Sequence, residues 1–209
     1  RAVIITSHLC LGMDNCAGCE DDAATALKSE AAYKLSQSLD FSGAVICYSK
    51  LVALAKTNDS RYTAYNNRAL AHLGAGDIEN AIRDCDTSLS IQENPKAYSR
   101  KASALGDLGR YEVGLECVLK ALTLSPDNKE AQKIKSNLEK KFIIHCINKA
   151  TQFGQLNQYI DGLSCVSRVL AVMPENEDAL KVKRNLEKAQ LVQKYLDQAT
   201  THSDMNQYD

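Results

Sequence analysis

Two stretches of this 209-residue chain match one another at an offset of 33 residues. In both, a Tyr is followed four residues later by an Ala, and a Gly and a Leu come after them at equal intervals. A self-match with a period of about 20 to 50 residues is typical of chains that stack one small supersecondary unit upon the next. The matching pairs include Tyr65/Tyr98, Ala69/Ala102, Gly76/Gly109 and Leu89/Leu122.

Each unit is predicted to contain two helices. Gly76 and Asp77 make the turn of the second unit, where Asp77 suits an N-cap, and Ala81, Cys85 and Leu89 then recur every fourth residue. Weaker matches place one unit before this pair and one after it. The predicted helix pairs lie near 28–39/41–55, 62–75/78–91, 96–108/111–124 and 143–154/158–172.

A second periodicity overlies the first. Residues 108–140 and 156–188 align without a gap, with 16 identities in 33 positions, so the end of one module occurs twice. Residues 129–153 contain neither Pro nor Gly. This predicts one long helix that caps the third unit and continues into the fourth, and a second capping helix from about 177 to 199 that could pack on itself.

These repeats resemble the tetratricopeptide repeat (TPR) family over roughly residues 25 to 176. The resemblance implies an all-α, TPR-type α-solenoid of about four helix-turn-helix repeats with capping helices. We expect a Cys-containing lead segment at 1–24, a three-repeat module with its capping helix at 25–142, a C-terminal unit with a long capping helix at 143–200, and a flexible tail at 201–209.

In that family the first helix of each repeat lines a groove through its second, fifth, sixth and ninth positions. The resemblance places Lys96 at the second position of repeat three and Arg100 at its sixth, with Asn67 at the sixth position of repeat two. This resembles the dicarboxylate clamp of heat-shock co-chaperones such as the Hsp-organising protein, which grips a Glu-Glu-Val-Asp C-terminus through charge-assisted hydrogen bonds.

The clamp is incomplete in repeat one, where the family has a Lys at the fifth position and an Asn at the ninth. If Ala32 and Ala44 are the paired small residues, Ser29 and Tyr33 occupy those positions. Lys28 then falls one residue early. We expect weaker binding than an intact clamp gives, with Tyr33 either donating through its hydroxyl or blocking the pocket.

The resemblance implies an adaptor that binds C-terminal acidic peptides of cytosolic heat-shock chaperones. The alternative is a scaffold or assembly factor of a multi-subunit or cytoskeletal complex, using the groove or the C-terminal helices for another partner. Because the sequence has no nucleophile elbow, phosphate-binding glycine loop or His-Glu-x-x-His motif, we expect no enzymatic activity and no cofactor.

Charge and hydropathy exclude other partners. The net charge of −1 provides no broad basic field for nucleic acid, and no apolar run approaches the roughly 18 residues of a membrane span. We therefore predict a cytoplasmic protein with protein partners, among them a second copy through the C-terminal helices.

The eight cysteines fall into two groups. Five at helical positions are expected to be buried as small apolar side chains: Cys47, Cys85, Cys117, Cys146 and Cys165. The others cluster with a histidine near the N-terminus, where Cys16 and Cys19 have the two-residue spacing of zinc ligands. His8 and Cys10 could complete a metal-binding module as a third functional alternative. A single Cys-x-x-Cys is a weak motif, so we expect no bound zinc.

Overall fold

The computed structural model describes residues 17–205, which form nine α-helices and no strand. This confirms the all-α fold class. The helices are α1 (Ala17–Ser36), α2 (Phe41–Leu54), α3 (Asn58–Ala75), α4 (Ile78–Ile91), α5 (Pro95–Asp107), α6 (Tyr111–Leu124), α7 (Lys129–Gln155), α8 (Tyr159–Val172) and α9 (Glu177–Met205). None of the helices in this part of the chain is both long and apolar enough to cross a membrane.

Helix α1 begins at Ala17, well before the predicted start near residue 28. Residues 22, 23, 25 and 26 are exposed, so these turns have little of the buried face that creates a hydrophobic period. Their alanines favour a helix through intrinsic propensity instead. Helix α3 also begins earlier than predicted, at Asn58, because Thr57 and Ser60 form a reciprocal capping box.

Local chemistry starts and ends the central helices. The side chains of Asp40, Asp77 and Asn94 each accept a backbone N–H in the first turn of the following helix, and this confirms Asp77 as an N-cap. Gly76 follows α3 in the left-handed conformation, with a φ of 77°. That conformation favours glycine and allows α4 to turn back against α3.

Small residues are buried where the helices of each pair come together. Ala44, Ala69, Ala81 and Ala102 are all fully buried. The five cysteines predicted to lie inside are all buried: Cys47, Cys85, Cys117, Cys146 and Cys165. The interior is therefore built from short side chains that let the helix backbones approach closely.

Repeat one has a different register from the predicted one. Ala31 is fully buried and Ala32 is exposed, so Ala31 is the small residue that corresponds to Ala69. The interval from Ala31 to Ala44 is one residue longer than that from Ala69 to Ala81. The longer connection between α1 and α2 contains Leu39, whose φ is 50°. The assignment of Ala32 was wrong because it assumed connections of equal length.

The chain divides into two compact units between Ile134 and Lys135, within α7. The first unit contains α1 to α6 and the start of α7, and the second contains the rest of α7 with α8 and α9. In the second unit, α8 packs closely on α7: a Cβ at Gly162 would lie 3.1 Å from the Ala150 carbonyl oxygen. The Arg168 guanidinium lies over the Phe142 ring, 5.9 Å from its centroid.

Candidate functional site

An open pocket of about 470 Å³ lies among α1, α2 and α3 in the first unit. Tyr48 and Leu51 of α2 provide part of its apolar lining. Lys28 reaches it from α1 and Asn67 from α3. The pocket therefore combines an apolar surface with the Asn67 amide, two ammonium groups and the Asp59 carboxylate.

Arg100 of α5 adjoins this pocket. Its Nη1 donates to the Asn66 carbonyl oxygen at 2.5 Å and lies 3.5 Å from the Asn67 amide oxygen. Because that oxygen faces Arg100, the Asn67 amide nitrogen is left for another partner. Burial raises the pKa of the Tyr48 phenol, while the positive charge of Arg100 opposes the rise.

The Arg100 guanidinium is largely buried, and burial lowers its pKa, while Glu130 is among the groups that oppose this fall. It remains a cation at neutral pH, because arginine is not deprotonated in proteins. Lys96 is exposed one turn earlier on α5, so the two side chains share a face of that helix. Asn94 caps α5 and Pro95 occupies its first turn, which places both cations near the helix N-terminus.

Two cations that join helices of the first unit differ from the three at the proposed groove. Arg68 pairs with Asp84 and Lys101 pairs with Asp86. Among the side chains that the structure describes, Lys28, Lys96 and Arg100 have no carboxylate within 4.0 Å. Three cations on α1 and α5 are therefore available to an anion.

Ser29 and Tyr33 do not line the pocket. The Ser29 hydroxyl donates to the Thr25 carbonyl within α1, and Tyr33 is 62% exposed. With Ala31 as the buried small residue, Lys28 moves to the fifth position of repeat one and Ala32 to the ninth. This register could have been predicted from the sequence. Asp40 lies four residues before Ala44, and the cap residue Asp77 likewise lies four residues before Ala81. The extra residue of repeat one must therefore lie before Asp40.

The fifth positions of the next two repeats differ from Lys28. Asn66 and Ser99 are buried there, and within the described residues the Asn66 Oδ1 and Ser99 Oγ atoms have no hydrogen-bond partner. Both side chains are thus shielded from solvent. The fifth position therefore presents a charged side chain only in repeat one.

The predicted zinc ligands fall mostly outside this part of the chain. His8, Cys10 and Cys16 precede the described residues, and Cys19 lies in α1 without a described side chain. Between residues 17 and 205, the described side chains include no group of three His, Cys, Asp or Glu suited to a metal ion.

Comparison with known proteins identifies the class of this fold. A tetratricopeptide repeat family model matches residues 62–95 and 95–128. The solved TPR domain of Arabidopsis OM64 is 30% identical with a TM-score of 0.53, and the match covers 58% of this chain and 98% of that domain. The chain belongs to the tetratricopeptide repeat family. The helix pairs are thus TPR-type repeats, whose surfaces bind other proteins.

Two further relatives are a peptide-bound TPR domain and a phosphatase. The TPR2B domain of yeast Sti1, solved in complex with an Hsp70 peptide, is 27% identical with a TM-score of 0.51, covering 57% of this chain and 95% of that domain. Serine/threonine-protein phosphatase T of Trypanosoma brucei brucei is 39% identical over 90 residues, 43% of this chain and 18% of the phosphatase. The chain spans less than two fifths of the length of the curated relatives compared.

Proposed function

We propose that the groove formed by α1, α3 and α5 binds the acidic C-terminus of a partner protein, as a co-chaperone-like adaptor of cytoplasmic heat-shock chaperones. The observation that carries this proposal is that Lys28, Lys96 and Arg100, the cations that the family register places in this groove, have no carboxylate within 4.0 Å among the described side chains. The Asn67 amide belongs to repeat two, between Lys28 of repeat one and the two cations of repeat three. Its relative in yeast Sti1 was solved with a chaperone peptide, which supports the same class of ligand here.

The burial of Arg100 explains why an anion is the expected ligand. A largely buried cation without a counter-ion is unfavourable, because the protein replaces its hydration only in part. A peptide that ends in Asp carries two carboxylates on its last residue, and a guanidinium can bind a carboxylate through two charge-assisted hydrogen bonds. Glu130 opposes this cost only from beyond 4.0 Å, and binding of the peptide places a carboxylate in direct contact with the guanidinium.

The pocket beside Asn67 adds selectivity for an apolar residue near the end of the peptide. Tyr48 and Leu51 line it, and burial of one aliphatic side chain contributes about 1.5–3 kcal/mol. A peptide with acidic residues around one aliphatic residue matches this surface. Glu-Glu-Val-Asp is such a sequence.

With the observed register, Lys28 takes the fifth position that the clamp of this family requires. The proposed peptide-binding residues are Lys28, Asn67, Lys96 and Arg100. The ninth position holds Ala32, whose methyl group cannot form the hydrogen bonds of an Asn. The departure from the family pattern is thus one missing amide, and Ser29 and Tyr33 are no longer part of the proposed site.

Calorimetric titration of the 209-residue chain with a peptide ending in Glu-Glu-Val-Asp tests this proposal. Amidation of the terminal carboxylate should weaken binding by about ten- to a hundredfold, since a hydrogen bond to a charged group contributes about 1.5–3 kcal/mol. Lys28→Ala and Arg100→Ala should each weaken binding similarly. Higher salt should weaken it too, because the groove is open to solvent.

Two substitutions serve as controls. Ser29→Ala removes a side chain that bonds within α1, and Arg83→Ala removes an exposed cation that contacts Asn80 within its own helix. Both should leave the affinity unchanged. If the free and amidated peptides bind equally, or neither binds, the groove has another ligand and the scaffold or assembly role becomes the better reading.

A further inference from the structure

The duplicated segments α7 and α9 differ in what covers them. In α7, Phe142, Cys146 and Ala150 are buried, and α8 packs against this face through Gly162 and Arg168. At the same offset of 48 residues, the corresponding side chains of α9 are Gln190, Lys194 and Gln198. These three polar residues line an open groove of about 790 Å³, with Tyr159 of α8 at its edge.

The C-terminal half of α9 has little support within the described chain. From residue 191 to residue 201, every side chain except the half-buried Gln193 is exposed. Leu191 is 51% exposed and Tyr195 is 62% exposed. Most helix stability in proteins comes from tertiary packing, so a second element packed on this half would stabilise it.

Charges of alternating sign follow α9 along the groove, where Glu187, Lys194 and Asp197 line it and Arg184 precedes Glu187 by three residues. Arg184, Glu187, Lys194 and Asp197 follow one another along the helix, and residues three or four apart lie on one face. If two α9 helices lie antiparallel about a two-fold axis between Gln190 and Leu191, Arg184 faces Asp197 of the second copy. Glu187 then faces Lys194 of the second copy, and symmetry repeats both pairs.

We propose that α9 binds α9 of a second copy of this chain, antiparallel, through the groove face that contains Glu187, Leu191 and Lys194. This face of α9 is polar, so it does not suit a helix that packs through apolar contacts, as α8 packs on α7. It suits a helix with the reversed order of charges, and α9 itself has that order. Leu191 lies next to the axis and supplies apolar contact there.

The ionic contacts within α9 do not compete strongly with this pairing. Lys183 approaches Glu187 at 3.8 Å, and both side chains are exposed, so solvent weakens their attraction. Gln193 donates to Asp197 at 2.8 Å, which leaves the carboxylate able to accept from a second donor.

Sedimentation equilibrium of the full 209-residue chain, with reductant present to prevent disulfide-linked dimers, tests the proposal. The apparent mass should rise from 22.9 kDa towards twice that value as the concentration increases. Lys194→Glu and Glu187→Lys should each weaken self-association at least about tenfold, because each places like charges opposite one another at two symmetric contacts. An equimolar mixture of the two variants should associate again, since each supplies the charge that the other lacks.

Lys188→Glu makes the same charge change on another side of α9 and should leave the dimer intact. Circular dichroism of each variant checks that helix content is retained. A wild-type chain that stays monomeric at its highest soluble concentration would overturn the proposal. So would a mixture of Lys194→Glu and Glu187→Lys that fails to associate, or a Lys188→Glu variant that is equally disruptive.

Discussion

The guanidinium of Arg68 binds both carboxylate oxygens of Asp84, each at 2.7 Å. This pair joins α3 to α4, and Arg68 also donates to Ser49 of α2 at 3.2 Å. Lys101 occupies the equivalent position one repeat later and pairs with Asp86 of α4. Arg68 directly follows Asn67 in the sequence, and Lys101 directly follows Arg100. Neighbouring residues of a helix point about 100° apart. The cation that joins two helices therefore faces away from the adjacent residue of the proposed site.

Asp84→Ala is expected to destabilise the first unit by about 3 kcal/mol, because it leaves the guanidinium of Arg68 largely buried without its counter-ion. Asp86→Ala is the matched control. Its carboxylate is 52% exposed, and loss of an exposed ion pair costs about 1 kcal/mol or less. Denaturant unfolding followed by circular dichroism compares the two variants, and equal losses would contradict the distinction between the pairs.

The register of repeat one can be tested by enlarging two neighbouring alanines. Ala31→Leu should destabilise the first unit by about 1–3 kcal/mol, because Ala31 is fully buried between helices. Ala32→Leu should change stability by no more than about 0.5 kcal/mol, since Ala32 is exposed. Thermal unfolding of both variants measures the two changes in stability. A larger loss of stability for Ala32→Leu would mean that Ala32 is the buried residue, as equal connection lengths predict.

The same register predicts a gain of affinity. Ala32→Asn should strengthen binding of a peptide ending in Glu-Glu-Val-Asp by about ten- to a hundredfold, because it supplies the missing amide at the ninth position. Tyr33→Asn introduces the same amide one residue later and should have no effect. Calorimetric titration of both variants compares them directly. Improved binding by Tyr33→Asn alone would mean that Tyr33, and not Ala32, faces the groove.

Stability should depend on pH through the cap of α4. The Asp77 carboxylate accepts hydrogen bonds from the Asn80 side chain at 2.7 Å and from the Asn80 backbone at 3.4 Å, which hold its pKa below the usual 3.8. A lowered folded-state pKa stabilises the fold above the unfolded value, and this stabilisation is lost as the pH falls through the folded value. Asp77→Ala should therefore cost about 1 kcal/mol near neutral pH and progressively less in acid.

Asp77→Asn is the control for that titration. Asn caps helices about as well as Asp but does not ionise, so its contribution should not fall away in acid. Urea unfolding between neutral and acidic pH measures all three proteins. A cost of Asp77→Ala that stays constant with pH would show that the carboxylate charge contributes nothing to the cap.

Repeats two and three could be predicted almost fully from the sequence. Their helices are specified by interactions between residues three or four apart and by caps such as Asp77 and Gly76, which act within a single turn. The long helix α7 and the burial of the five internal cysteines followed from the same local patterns. The site residues Asn67, Lys96 and Arg100 lie in these well-determined repeats, and the structure brings Asn67 and Arg100 together.

The sequence alone determined the all-α class, the repeat period and most helix positions after α1, because periodicity and capping are properties of neighbouring residues. Tertiary packing decided which alanine of repeat one is buried, and with it whether Lys28 or Ser29 faces the groove. The connection before Asp40 contains one extra residue, which shifts the register of the preceding helix by one residue. Only the packing of that helix on α2 shows which of its faces is buried. The availability of Arg100 was likewise decided by packing, since among the described side chains no carboxylate lies within 4.0 Å of it and Glu130 acts on it only from farther away.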